Sequence, residues 1–254
     1  MRQIGVVPAR MASSRFPGKP LAPICGRPMV EHVFERARMY GKWDALVLAT
    51  CDPEIAAFAD AKGYPVVMTA DTHTRALERV AEATEKCGLE VAEHDLVVCV
   101  QGDEPMMRPD MIDAVLAPLL ADAAVEGTIL AMEILDDALF RNPDTVKIVH
   151  DLAGNVMYTS RAPVPHCARL TPEIGARRIY GIFGFRWHFL KWFNGLPESR
   201  LEILESCDSN RIYDNGRCQR IAPYANIPSF SVDSPADLQL VEARMQEDPY
   251  WGKY

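Results

Sequence analysis

Short apolar runs alternate with stretches of helical spacing through the first half of this chain. Ile4-Gly5-Val6-Val7 is the first run and predicts a strand. Met29, Val33 and Ala37 then recur every fourth residue with Phe34 alongside, the stripe of an amphipathic helix. The alternation continues with strands expected at 45–50, 65–69 and 95–101 and helices at 53–62, 75–87 and 109–121, the last opening on a proline in its first turn. Strands that alternate with helices of this length predict right-handed βαβ units and a mainly parallel sheet. Leu96-Val97-Val98-Cys99-Val100 is apolar at every position, as a central strand covered on both faces requires.

After about Gly127 the pattern loosens. Strands are expected at 128–134, 146–150, 156–160 and 178–186, joined by loops, which suggests an antiparallel insertion of the kind that carries an acceptor pocket and a dimer contact. The aromatic run 187–193 and the segment 200–214, closing at Asn215-Gly216, read as helices. A strand is expected at 227–232, and Ser234 with Asp237 three residues on caps a final helix. The expected architecture is α/β: a three-layer, mainly parallel sheet in one domain, 1–254. Residues 1–126 and 217–254 would form the core, and 127–216 the insertion.

Composition narrows the function. At 254 residues the chain is long enough to bury roughly 70–75% of its unfolded surface. Its 48% apolar and 24% charged residues are ordinary for a globular protein. The net charge of −8 argues against nucleic acid or an anionic membrane as partner, so any bound anion must meet locally concentrated positive charge. Seven cysteines without a C-x-x-C pair suggest buried thiols in a reducing compartment and no zinc site. The chain passes from Met1-Arg2-Gln3 directly into a strand, and no apolar run approaches 18 residues. A cytoplasmic protein is expected.

That local charge lies between the first strand and first helix. The run Pro8-Ala9-Arg10-Met11-Ala12-Ser13-Ser14-Arg15-Phe16-Pro17-Gly18-Lys19-Pro20 carries three cations, two small hydroxyls and no acid. A loop at the carboxyl end of a parallel strand is where an α/β protein binds its ligand. Asp103 follows the strand ending at Val100, and Asp233 follows the one expected to end at Val232. Two carboxylates facing a basic loop suit a Mg²⁺–nucleotide, the ion taking one or two protein carboxylates with phosphate oxygens and water. The cations would hold the remaining phosphate charge. Taken singly, each aspartate reads first as a turn or capping residue; it is their conjunction with the basic loop that points to function. Neither G-x-x-x-x-G-K-[ST] nor an opening G-x-G-x-x-G is present, so the grip relies on side-chain cations and loop amides.

Val7-Pro8-Ala9-Arg10…Ser13…Arg15-Phe16-Pro17-Gly18-Lys19-Pro20-Leu21 and Val100-Gln101-Gly102-Asp103-Glu104-Pro105 resemble the first two motifs of the cytidylyltransferases that make CMP-sugars, above all the 3-deoxy-manno-octulosonate (Kdo) cytidylyltransferase family. Asn142-Pro143…Val146-Lys147, Tyr158-Thr159-Ser160-Arg161 and Val232-Asp233-Ser234-Pro235-Ala236-Asp237 continue the likeness in order. The resemblance implies a glycosyltransferase-A-like fold, usually a homodimer, that uses CTP and Mg²⁺ to transfer CMP to an acidic acceptor. By position, Arg10 and Lys19 would hold the triphosphate with Arg15 near, beside Pro8 and Ala9. Asp103 and Asp233 would hold Mg²⁺; Lys19, Arg10 and Asp103 would be catalytic. Arg79 would lie near the nucleotide and Gln101 at the acceptor. Lys147 and Arg161 are candidate partners of its carboxylate, or else simply exposed strand cations.

The likeness weakens in the acceptor half. Where the family reads roughly H-L-G-I-Y-G-Y, this chain has Ile179 and Phe183 in place of the His and a Tyr; a Glu-Gln pair becomes Asp208 and Ser209. The S-G-T-E-R run becomes Arg75-Ala76-Leu77-Glu78-Arg79. Sites that lose hydroxyl-binding groups discriminate against the original sugar, so Kdo itself would be disfavoured. The expected acceptor is a Kdo-like sugar acid. The alternative is a small phosphonate, which Arg75, Lys147 and Arg161 could neutralise. A catalytically silent nucleotide-binding protein is a further class, separated by pyrophosphate release.

Overall fold

The structure, a computed structural model, describes residues 1–13 and 15–254; Ser14, one of the two loop hydroxyls singled out above, lies outside the described residues. In chain order the elements are β1 (Gln3–Pro8), β2 (Pro23–Ile24), β3 (Arg27–Pro28), α1 (Met29–Arg38), β4 (Ala45–Thr50), α2 (Pro53–Lys62), β5 (Val66–Met68), α3 (Ala76–Glu85), β6 (Leu96–Val100) and α4 (Asp110–Ala121). Then follow β7 (Gly127–Glu133), α5 (Asp137–Arg141), β8 (Lys147–His150), β9 (Val156–Ser160), β10 (Arg177–Arg186), α6 (Trp187–Asn194), α7 (Arg200–Glu205), α8 (Ser209–Asp214), β11 (Arg220–Tyr224) and α9 (Pro235–Met245). Two compact units are formed, one from 1–112 with 228–254, the other from 113–227.

In the first unit the strand order is β6-β1-β4-β5, all neighbours parallel. Every residue of β6 is fully buried, as are Ile4, Val6 and Val7 of β1, so these two strands form the sheet's interior. Because β6 and β1 run parallel and side by side, with Val6 opposite Cys99, their carboxyl ends open onto the same edge. The predicted stripe of α1 is its buried face: Met29, Val33 and Ala37 are inaccessible and Phe34 nearly so. A second cluster, Ile24, Met29, Met106, Val232, Val241 and Met245, joins α1 and α9 to the segments beside the two aspartates, with Phe16 and Trp251 packed against it.

In the second unit, β7 pairs β11 in parallel and β10 antiparallel, while β8 bridges β10 and β9 in antiparallel ladders. The fold is therefore mixed α/β with a mainly parallel sheet and an antiparallel part.

Two expectations change, and one strand appears that the pattern did not predict. The helix expected over 200–214 is two short ones, because Ser206 takes a left-handed conformation (φ 49°) that ends α7. Asn210, at the start of α8, is held to Thr159 instead, accepting from its hydroxyl at 2.9 Å and donating to its carbonyl at 3.1 Å. The segment 227–232 is not a strand; its Val232 amide bonds the Asp103 carbonyl (2.9 Å) and its Ser231 hydroxyl the Glu104 carboxylate (2.7 Å). The strand in this region is β11, obscured in the sequence by Pro223, which an end strand tolerates. The Ser234 cap forms as expected, its hydroxyl accepting the Asp237 amide and the Asp237 carboxylate accepting the Ser234 amide.

Candidate active site

A cavity opens where the carboxyl ends of β1 and β6 meet the basic loop. It is lined by Pro8, Ala9, Arg10, Arg15, Lys19, Arg75, Arg79, Gln101, Asp103 and Asp233, which are ten of the twelve site residues the sequence pointed to. Its volume is about 290 Å³.

Two local features build it. Gly18, left-handed at φ 74°, turns the loop into the short helical turn that carries Lys19. Gly102 lets the turn after β6 lie directly against β1: a Cβ there would stand 2.6 Å from the Pro8 carbonyl oxygen, closer than non-bonded atoms approach. Gly102→Ala must therefore displace the turn bearing Asp103. We expect it to cost about 1–3 kcal/mol and to distort the cavity in the protein that still folds; denaturant melts paired with ligand-binding measurements on the folded fraction check this.

Lys19 is the centre of the site. Its Nζ donates to Asp103 Oδ2 at 2.8 Å, to the Val232 carbonyl at 2.9 Å and to Asp233 Oδ1 at 3.4 Å. Burial works to lower the pKa of this ammonium, but Asp103 and then Asp233 outweigh it, and the pKa is raised. Arg15 also reaches Asp233 Oδ1, at 2.9 Å. Arg10, at the exposed mouth, donates to the His73 carbonyl at 3.5 Å. Arg79 is buried and bonds the Thr69 hydroxyl, so α3 is fixed to the loop preceding it.

Several supporting residues were not legible from pattern alone. Asp52 Oδ2 accepts the Met11 amide at 2.7 Å and anchors the start of the basic loop to the start of α2. His73, on the cavity wall, is bonded to Glu82 at 2.5 Å. Burial acts to raise the pKa of Glu82, yet bonds from Lys86, the Ala70 amide and His73 hold it at about 2. An acid before a helix, or a lone histidine, carries no signal for such roles in a single sequence.

Lys147 and Arg161 lie in the second unit. Lys147 is fully buried and its ammonium donates to the carbonyls of Asn142 (2.9 Å), Thr145 (2.5 Å) and Arg161 (2.6 Å). All three donors are used, which leaves none for an acceptor carboxylate. It is neither the exposed strand cation nor the ready anion partner the sequence suggested. Arg161 binds the carbonyls of Glu205 (2.8 Å) and Pro143 (3.0 Å). Of the altered acceptor-half positions, Ile179 and Phe183 lie on β10, Asp208 and Ser209 at the start of α8.

The sequence profile of the cytidylyltransferase family matches residues 4–221. The chain belongs to that family. This cytidylyltransferase is 40% identical over 249 residues to the 3-deoxy-manno-octulosonate cytidylyltransferase of Syntrophotalea carbinolica, covering 95% of this chain and 97% of that one. It is 41% identical over 249 residues to the protein of the same name from Nitratidesulfovibrio vulgaris strain DP4, covering 96% of each. Among solved structures it superposes on CMP:2-keto-3-deoxy-manno-octonic acid synthetase complexed with CTP, with a TM-score of 0.86 and 33% identity over 97% of this chain and 99% of that one. The 4-diphosphocytidyl-2C-methyl-D-erythritol synthase of Anaerococcus prevotii shares the fold, at a TM-score of 0.62 and 14% identity over 96% of this chain and 99% of that one. As a member of this family the protein is a nucleotidyltransferase. Among the described residues, no helix is long and apolar enough to cross a membrane.

Proposed function

We propose that this cytidylyltransferase transfers CMP from CTP to a hydroxyl of a 3-deoxy-manno-octulosonate-type sugar acid, using Mg²⁺ and releasing pyrophosphate. The observation that carries this is the arrangement at Lys19: one ammonium in reach of both Asp103 and Asp233, with Arg10, Arg15 and Arg79 lining the same cavity. The relatives named above supply the acceptor class. None of those names points to a phosphonate.

The residues fit a divalent ion. Asp103 and Asp233 are close enough to share one cation, since each already reaches the same ammonium. Among the described residues no group of three or more His, Cys, Asp or Glu could form a complete protein shell. Two aspartates are enough for Mg²⁺, which keeps waters and takes phosphate oxygens beside one or two carboxylates. Bound there by Asp103 and Asp233, it would offset charge on the triphosphate.

Arg10, Arg15 and Lys19 bind and orient the triphosphate through charge-assisted bonds. The acceptor oxygen forms a bond to the α-phosphorus as the bond to the bridging oxygen of pyrophosphate breaks, and the hydroxyl proton passes to solvent. Such a reaction asks the protein mainly for alignment and charge neutralisation.

Pyrophosphate release, measured with Mg²⁺, each of the four nucleoside triphosphates and a panel of Kdo, other ulosonates and phosphonates, tests the proposal. CTP with a Kdo-type acid is expected to dominate. Indifference to the base, or release only with phosphonates, would overturn it.

A further inference from the structure

The two acids assigned to the metal already share a cation supplied by the chain itself. Lys19 Nζ is 2.8 Å from Asp103 Oδ2 and 3.4 Å from Asp233 Oδ1, and the Arg15 guanidinium is 2.9 Å from that same Asp233 oxygen. Two negative charges are thus matched by two positive ones. The Lys19 side chain is only 14% exposed, so its charge is weakly shielded by water. A divalent ion that enters by itself has to displace the ammonium from its carboxylates. It would then leave Lys19 largely buried, close to a second cation and with only the Val232 carbonyl of its three acceptors, which is unfavourable. A triphosphate changes this balance because its oxygens accept the displaced ammonium and guanidinium. The lysine stem has the reach and rotational freedom for such a transfer without movement of the backbone.

We propose that Lys19 and the divalent cation compete for the same pair of carboxylates, so that metal affinity depends on a triphosphate being present to receive the ammonium. Lys19 therefore has two functions. It binds phosphate, and it prevents the site from loading metal without nucleotide. The inference rests on the reading of this cavity as a metal–triphosphate site.

The test measures metal affinity rather than turnover. Mn²⁺ is titrated into the full-length protein without nucleotide, and the free ion is followed by electron paramagnetic resonance. Wild type is expected to bind weakly, and Lys19→Met at least tenfold more tightly. Lys19→Arg, which keeps the positive charge, should remain weak. Lys19→Met combined with Asp103→Asn should lose the gain, which locates the ion between the two acids. Lys19→Gln serves if circular dichroism shows that the Met variant does not fold. Adding CTP without acceptor should bring tight Mn²⁺ binding to wild type, read from water-proton relaxation. Equal nucleotide-free affinity in wild type and the neutral variants would overturn the proposal. Wild-type pyrophosphate release from CTP tests the proposed function separately, and either result can fail while the other stands.

Discussion

Replacing Asp103 with alanine is expected to lower CTP turnover a hundredfold or more while leaving the protein folded. Asp103 sits at the end of the turn that Gly102 allows, and its carboxylate is about a quarter exposed. Its backbone carbonyl, not its side chain, accepts the Val232 amide, so the segment that carries Asp233 keeps that anchor in the variant. Lys19 would still hold the Val232 carbonyl and Asp233, so no buried cation is orphaned. What disappears is one of the two carboxylates proposed to hold the metal. A hundredfold corresponds to about 2.7 kcal/mol of transition-state stabilisation, a modest demand on a residue in the proposed role of metal ligand. Pyrophosphate-release rates at saturating CTP, beside thermal melts, provide the check. A variant that turns over at near the wild-type rate would remove Asp103 from the mechanism; one that loses activity only in proportion to unfolded protein would make its role structural.

How much of this was readable in the chain depended on whether each residue's signal was local. Arg10, Lys19 and Asp103 follow apolar runs that can only be buried strands, so their place at a sheet edge came directly from the pattern. Asp233 was located correctly beside an erroneous element: Phe230-Ser231-Val232 alternates like a strand, but its bonds go to the 101–105 turn and not into a ladder. Lys147 shows the opposite failure. A cation on a strand reads as exposed, and only the folded chain reveals three carbonyls closing around it. Asp52 looked like any helix-start acid, since its partner, the Met11 amide, lies 41 residues earlier. The break at Ser206 depends on a left-handed serine, which composition does not announce.

Arg36→Met is expected to destabilise the protein by about 3–5 kcal/mol, the range for a buried ion pair deprived of one partner. Arg36, on α1, is fully buried, 2.9 Å from Asp248, whose side chain is itself only 4% exposed. The guanidinium also donates to the Tyr254 hydroxyl at 3.2 Å and the Met107 carbonyl at 3.3 Å, and the Tyr254 hydroxyl is 2.7 Å from Nδ1 of His32. The last residues of the chain are thereby fastened to α1. Trp251, within that fastened segment, packs on the cluster that also contacts Phe16, Met106 and Val232, neighbours of Arg15, of the Asp103 turn and of Asp233. Loosening the segment should therefore raise KM for CTP in the folded fraction as well as lower stability. If the loss comes from stranding Asp248 without a countercharge, the double variant Arg36→Met/Asp248→Leu should recover most of it, because apolar groups often replace a buried pair at little cost. Denaturant unfolding of the two single variants and the double one decides the matter: losses that simply add would mean that packing around Arg36, rather than its charge, holds the segment down.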